Sequence, residues 1–108
     1  MDAGQNDTAA FDRLLSNKQQ EPYVLKLFVS GMSPRSTSAL HLLKTLCEEH
    51  LAGRYSLEVV DMYERPDAVT AHRVLASPTL LRLRPLPERR LIGDLSDRSV
   101  VMRTLDLG

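Results

Sequence analysis

Hydrophobic residues fall along this chain in two distinct rhythms. Over Tyr23–Val29 they occupy nearly every position, with Tyr23, Leu25, Leu27 and Val29 on one side of an extended chain and Val24 and Phe28 on the other. A strand that is apolar on both faces suits the centre of a sheet covered on both sides. Lys26 alone interrupts the run, which predicts an open end of one sheet face or a snorkelling stem. From Ser33 the period changes. Ala39, Leu42, Leu43, Leu46, Cys47 and His50 recur at helical spacing and predict the buried stripe of a helix running to about Leu51. Ser33 is a favourable N-cap, Pro34 fits N1, where its missing N–H costs nothing, and Gly53 supplies the C′ residue.

Arg54–Met62 returns to alternation, with Tyr55, Leu57, Val59 and Asp61 on one face and Ser56, Glu58 and Val60 on the other. The polar second face predicts an edge or edge-proximal strand, and the right-handed crossover rule makes it parallel to the first. Glu64-Arg65-Pro66-Asp67 starts a short helix, Asp67–Leu75, with Ala68, Ala71 and Leu75 toward the core. Ser77-Pro78 precedes a third strand, Thr79–Leu83, and a proline there is a candidate for a cis peptide bond. Arg84-Pro85-Leu86-Pro87 is a stiff turn, and Arg90–Gly93 predicts a short fourth strand.

Asp94–Leu107 fits two patterns. As a helix it is capped by Ser96 and carries Val100, Val101, Met102 and Leu105 as its stripe. As a strand it sets Val101, Leu105 and Leu107 against Val100 and Met102 and leaves Arg103 misplaced. Length and the Leu95-Ser96-Asp97 start favour the helix. Residues 1–21 carry few large apolar side chains, namely Phe11, Leu14 and Leu15, and read as a disordered tail or as an extension that orders on a partner. The folded domain is then 22–108.

Composition narrows the function classes. A chain of 108 residues has room for one core. Its 14 basic and 14 acidic residues cancel, so no global field points to nucleic acid or a membrane surface. No stretch approaches the roughly 20 apolar residues of a membrane span, and no secretory leader is visible, so a cytoplasmic location is expected. Cys47 is the only cysteine, which excludes an internal disulfide and a thiolate zinc cage, and its place in the helical stripe predicts an inert core thiol. His41, His50 and His72 lack metal-ligand spacing, so neither metal nor other cofactor is expected. Residues 68–108 hold seven arginines against Glu88, Asp94, Asp97 and Asp106. Arg73, Arg82, Arg84, Arg89 and Arg90 form either a solvated face or a docking patch for an acidic protein surface, and both readings stay open.

The order β-α-β-α-β-β-α over a mixed sheet, with a proline before the third strand, is that of a thioredoxin-like α/β domain. Redox enzymes of this type carry Cys-x-x-Cys at the first strand-to-helix turn, where one thiolate attacks and the other resolves the mixed disulfide. Here that turn reads Ser33-Pro34-Arg35-Ser36. A hydroxyl cannot exchange disulfides, and no base is signalled to activate either serine. No catalytic residue is assigned. The residues point to a non-enzymatic binding module.

Several blocks resemble the KaiB family of bacterial circadian clock proteins: Tyr23-Val-Leu-Lys-Leu-Phe-Val-Ser-Gly31, Ser33-Pro34-Arg35-Ser36, Leu57–Asp61, Leu75–Leu80, Leu86-Pro87 and above all Leu91-Ile-Gly-Asp-Leu-Ser-Asp-Arg98. The resemblance implies a metamorphic, fold-switching regulator, with a ground-state fold in which the C-terminal half is rearranged as the alternative to the thioredoxin-like one. It implies a KaiC-like ATPase hexamer as partner, bound at its N-terminal ring, and homo-oligomers, dimeric or tetrameric. Candidate partner-binding residues by motif position are Tyr23, Arg35, Arg73, Arg82, Arg89 and Arg90, and candidate fold-switch residues are Gly93, Asp94, Thr104 and Asp106.

Three departures bear on this. Thr104 stands where cyanobacterial relatives have a glycine, and the lost positive-φ freedom is expected to bias the chain toward one fold, the thioredoxin-like one. Glu58 replaces a lysine on the edge that relatives use for KaiA, which argues against KaiA binding. The chain stops at Gly108 without the acidic tail and adds about twenty residues at its start, as a divergent homologue would. The alternatives are a stress-response or signalling adaptor working without KaiA, a sensor-domain-like interaction module, and a thioredoxin-type redox enzyme.

Overall fold

The computed structural model describes residues 21–93 and 95–107. The expected tail therefore lies almost wholly outside the described residues, and so does Asp94. The elements run β1 (Tyr23–Val29), α1 (Pro34–Leu51), β2 (Tyr55–Asp61), α2 (Pro66–His72), β3 (Thr79–Arg84), β4 (Arg89–Ile92) and α3 (Arg98–Leu105). They form one four-stranded sheet in the order β2-β1-β3-β4. β2 is parallel to β1, while β3 runs antiparallel to β1 and β4 antiparallel to β3. This is the thioredoxin-like α/β architecture, with β1 central and β2 at an edge as the hydrophobic pattern requires.

The two faces of β1 feed two cores. Tyr23, Leu25, Leu27 and Val29 pack with Ala39, Leu43, Leu46, Cys47 and Leu51 of α1, Leu80 of β3, and Leu95, Val101 and Leu105 around α3. On the opposite face Phe28 packs with Val60, Leu81, Ala68 and Val74. The second core is small because α2 spans only seven residues. The rest of that face is open, and there Lys26 lies 3.4 Å from Glu58 on the neighbouring strand. The interruption in the apolar run thus marks the open part of the face.

Local chemistry explains the boundaries. Ser33 caps α1 by accepting from the Ser36 N–H at 3.1 Å, with Pro34 following at N1. Gly53, at φ +74, carries the chain out of α1 into β2 in a conformation that L side chains resist. Ser77–Pro78 is cis, as are Arg84–Pro85 and Leu86–Pro87. α3 is helical, the favoured of the two patterns, and Thr104 sits inside it with its hydroxyl donating to the Val100 carbonyl at 2.9 Å.

Three sequence expectations need correction. The α1 stripe ends in Leu51, not His50, because His50 is exposed while Leu51 is buried. α2 stops at His72 rather than continuing to Leu75: Arg73 turns left-handed, at φ 53. That turn buries Val74 in place of Ala71 and leaves Leu75 90 % exposed. Finally, Asp97 and not Ser96 caps α3, accepting from the Ser99 and Val100 N–H groups at 3.0 and 3.3 Å.

Candidate functional site

Strand directions bring the functional candidates to two opposite ends of the sheet. One end gathers the start of β1, the ends of α1 and α3, and the turn between β3 and β4. Here Arg82 enters the interior from β3, only 1 % exposed. Its guanidinium donates to Asp106 Oδ2 at 2.7 Å and to the Pro87 carbonyl at 2.8 Å, and its Nε has no hydrogen-bond partner among the described residues. Asp106 occupies the left-handed C-cap of α3, at φ 59, where its short polar side chain makes that conformation tolerable. The Arg82 hydrogen bond holds the Asp106 carboxyl below the usual carboxylate range, and Arg89, 3.9 Å away, adds to this. Beside them the Tyr23 hydroxyl donates to the Leu105 carbonyl at 2.8 Å. Burial raises the Tyr23 pKa, against the opposing charge of Arg82.

Two of the six candidate contacts are therefore inside in this conformation. Tyr23 is 9 % exposed, and Arg82, which sequence reading grouped with a surface patch, is a buried tie between β3 and α3. The signal that could have separated Arg82 from its neighbours was its alternation with Leu81 and Leu83 in a short strand. The other four are exposed. Arg89 stands beside Asp106, while Arg90 crosses to the other face and donates to the Arg73 carbonyl at 2.8 Å and to the His72 carbonyl, capping the end of α2. Arg35 lies in the first turn of α1, at the opposite end of the sheet, and Arg73 is the left-handed C-cap of α2. Of the fold-switch candidates, Gly93 adopts φ +105 after β4, and Thr104 and Asp106 belong to the end of α3.

That opposite end holds the turn where a thioredoxin keeps its thiols. The Ser33 hydroxyl donates to Ser36 Oγ at 3.1 Å, and Ser36 is buried. The two hydroxyls pair with each other at the helix cap, and among the described residues neither is hydrogen-bonded to a side-chain base. Cys47 is remote from this turn, fully buried in the first core, and burial pushes its thiol up to about 11. At that value the thiolate needed for exchange is scarce at neutral pH. Among the described residues no three His, Cys, Asp or Glu side chains come together as a metal site, and no helix is long and apolar enough to cross a membrane.

Comparisons with known proteins agree with this geometry. The KaiB domain model matches residues 26–107. The circadian clock oscillator protein KaiB of a Nostoc species is 45% identical over 91 residues, 84% of each chain. Its counterpart from a Synechococcus species is 46% identical over 88 residues, 82% of this chain and 86% of the relative. Among solved structures, the N-terminal domain of Synechococcus elongatus SasA superposes with a TM-score of 0.65 at 25% identity, covering 82% of this chain and 87% of that one. Mitochondrial thioredoxin 3 of Saccharomyces cerevisiae gives 0.65 at 16% identity over 90% of both chains, a likeness of fold alone.

Proposed function

The chain belongs to the KaiB family of circadian clock proteins, and we propose that it works as a non-enzymatic regulator of a KaiC-like ATPase. On this reading it binds the N-terminal ATPase ring and modulates the partner's phosphorylation cycle by occupying it. The observation that carries the proposal is the family match itself, which spans both cores and the C-terminal helix. The serine turn and the buried, high-pKa Cys47 support a binding role over thiol exchange. Arg35, Arg73, Arg89 and Arg90, all exposed, are the candidate contacts. Tyr23 and Arg82 would act through the packing of α3.

A regulator that dispenses with KaiA is the second reading. Glu58 on the edge strand β2, engaged with Lys26, favours it, because the family resemblance implies a lysine there on the edge used for KaiA. The test is co-elution and pull-down with the KaiC-like protein of the same genome, in ATP and in ADP. A stable complex is expected with at least one nucleotide, and absence of any complex in both overturns the proposal. KaiA added to that complex is expected to stay in its own fraction.

A further inference from the structure

The central strand β1 leaves one valine outside both cores. On the face where Phe28 meets Val60 and Leu81, Val24 and Lys26 continue the alternation toward the start of the strand. Their neighbours on β2 are Ser56 and Glu58, so the register places these four side chains on one patch of the sheet. Leu83, two residues beyond Leu81 on β3, adds a half-buried apolar side chain at the margin. α2 covers only the other half of this face. Its seven residues make a helix about 10 Å long, and Ala68 packs with Phe28 and Val60. Val24 is half-buried and belongs to neither core among the described residues. A strand apolar on both sides and flanked by two others suits a sheet covered on both faces. Here half of one face has no helix over it among the described residues.

The point where the chain enters the sheet says what fits there. Residues before Pro22 reach the sheet at the Tyr23 end of β1, the end at which the patch lies. Among them, residues 8–16 lie outside the described residues and carry a helical pattern. Phe11, Leu14 and Leu15 fall at i, i+3 and i+4, one side of a helix, with Asp12, Arg13 and Ser16 on the others and Thr8 as an N-cap. Such a helix is about 10 Å across, the width of two strands spaced about 4.8 Å apart. Residues 17–22 can extend about 20 Å, enough to turn the segment back over Val24. The patch presents no lone charge, because Lys26 and Glu58 stand 3.4 Å apart, and the Glu58 side chain, 51 % exposed, keeps its carboxylate at the rim. We infer that residues 8–16 form a short amphipathic helix that seats Phe11, Leu14 and Leu15 on Val24, Leu83 and the Lys26 stem. The second core is then extended by the chain's own N-terminal segment, and a partner that reads this face of β1 and β2 must displace it. The inference concerns this face alone and stands whether or not the regulatory reading holds.

The test is NMR on the full chain. Through-space cross-peaks are expected between the Phe11 ring or the Leu14 and Leu15 methyls and the methyls of Val24 and Leu83, unchanged in strength on dilution. In a Phe11→Ser, Leu14→Ser, Leu15→Ser variant these cross-peaks are lost and the amides of Val24, Lys26, Ser56 and Glu58 shift. The amides of Val101 and Leu105, in the first core on the opposite face, stay in place. The three substituted residues belong to neither core as described, so the variant keeps its fold and the readout survives. Absence of cross-peaks between the segment and this face overturns the inference, and so does a variant whose Val24 and Glu58 amides do not move. Cross-peaks to α1 or α3 in their place also overturn it. Cross-peaks that fade on dilution, or that join differently labelled copies in a mixed sample, overturn it in favour of a second copy on the face. Val24→Ser is the converse probe. It is expected to release the segment and move the Phe11, Leu14 and Leu15 amides to random-coil shifts, and amides that stay put count against the seat.

Discussion

At one end of the sheet, the last turn of α3 is fastened by Arg82, Tyr23 and the Asp106 cap. Elsewhere, in the loops after β1 and β2 and before β3, Met32, Tyr63 and Leu75 stand in solvent. The fastened end contains a charge that burial makes costly and a partner that compensates it. The open end contains apolar area that exposure makes costly, and no described residue covers it. The two ends thus differ in what holds them: one is tied by buried polar contacts, and the other leaves apolar side chains in water.

The comparison can be broken most strongly by cavity formation. Leu105→Ala, at a fully buried position on α3, is expected to destabilise the chain by about 2–5 kcal/mol. Urea unfolding followed by circular dichroism reads this directly. A loss of under about 1 kcal/mol would mean that α3 contributes little to the stability of the fold, and the fastened end would lose its meaning.

Asp106→Asn is a subtler probe of the same end, since asparagine tolerates the left-handed backbone and keeps an acceptor while removing the charge. It leaves the buried Arg82 guanidinium without its counter-charge. Asp106 itself is 54 % exposed, so the expected cost is about 2 kcal/mol, below that of a fully buried pair. Combining it with Arg82→Met is expected to recover part of that loss, because an apolar side chain of similar length no longer needs the carboxylate. The pH dependence has a definite sign. The folded pKa of Asp106 lies below its unfolded value, so its contribution is present above the unfolded value of about 3.9 and is lost as pH falls through the folded one. Wild-type stability is therefore expected to fall more steeply in acid than that of Asp106→Asn.

Most of the framework was legible because it rests on local periodicity and capping. β1 is apolar on both faces, α1 has its Ser33-Pro34 start, and β2 has a polar outer face. All three lie where the pattern places them. What was hidden depends on tertiary register. Arg82 belongs to a run of arginines in sequence, yet its pairing with Leu25 at the centre of the sheet turns it inward. Leu75 has helical spacing from Ala68 and Ala71, yet the left-handed Arg73 ends the helix before that spacing can act. The family blocks were legible as motifs, but motif position could not separate exposed arginines from a buried one.

Ser33→Ala tests a structural tie at the open end. Losing the cap is expected to cost about 1 kcal/mol, measured by urea unfolding. The buried Ser36 hydroxyl would also lose its partner Oγ, so a cost nearer 2 kcal/mol remains consistent with the geometry. Binding to a partner at this end should change little, because the cap positions α1 and not the apolar loops.

The smallest expected effect on stability is the most discriminating for function. Met32→Ser, Tyr63→Ser and Leu75→Ser, made singly, are each expected to change stability by no more than about 0.5 kcal/mol, since each side chain is already mostly in water. Removing solvent-exposed apolar area can even raise solubility. If one of them destabilises the chain by about 2 kcal/mol or more, that side chain is buried in solution and makes an internal contact, contrary to its exposure in the structure. If all three are neutral to folding and weaken the complex with a KaiC-like hexamer, the apolar end is kept exposed for its partner. Residues that cost nothing to remove from the isolated chain would then carry the association, and Leu105, which costs most, would carry only the fold.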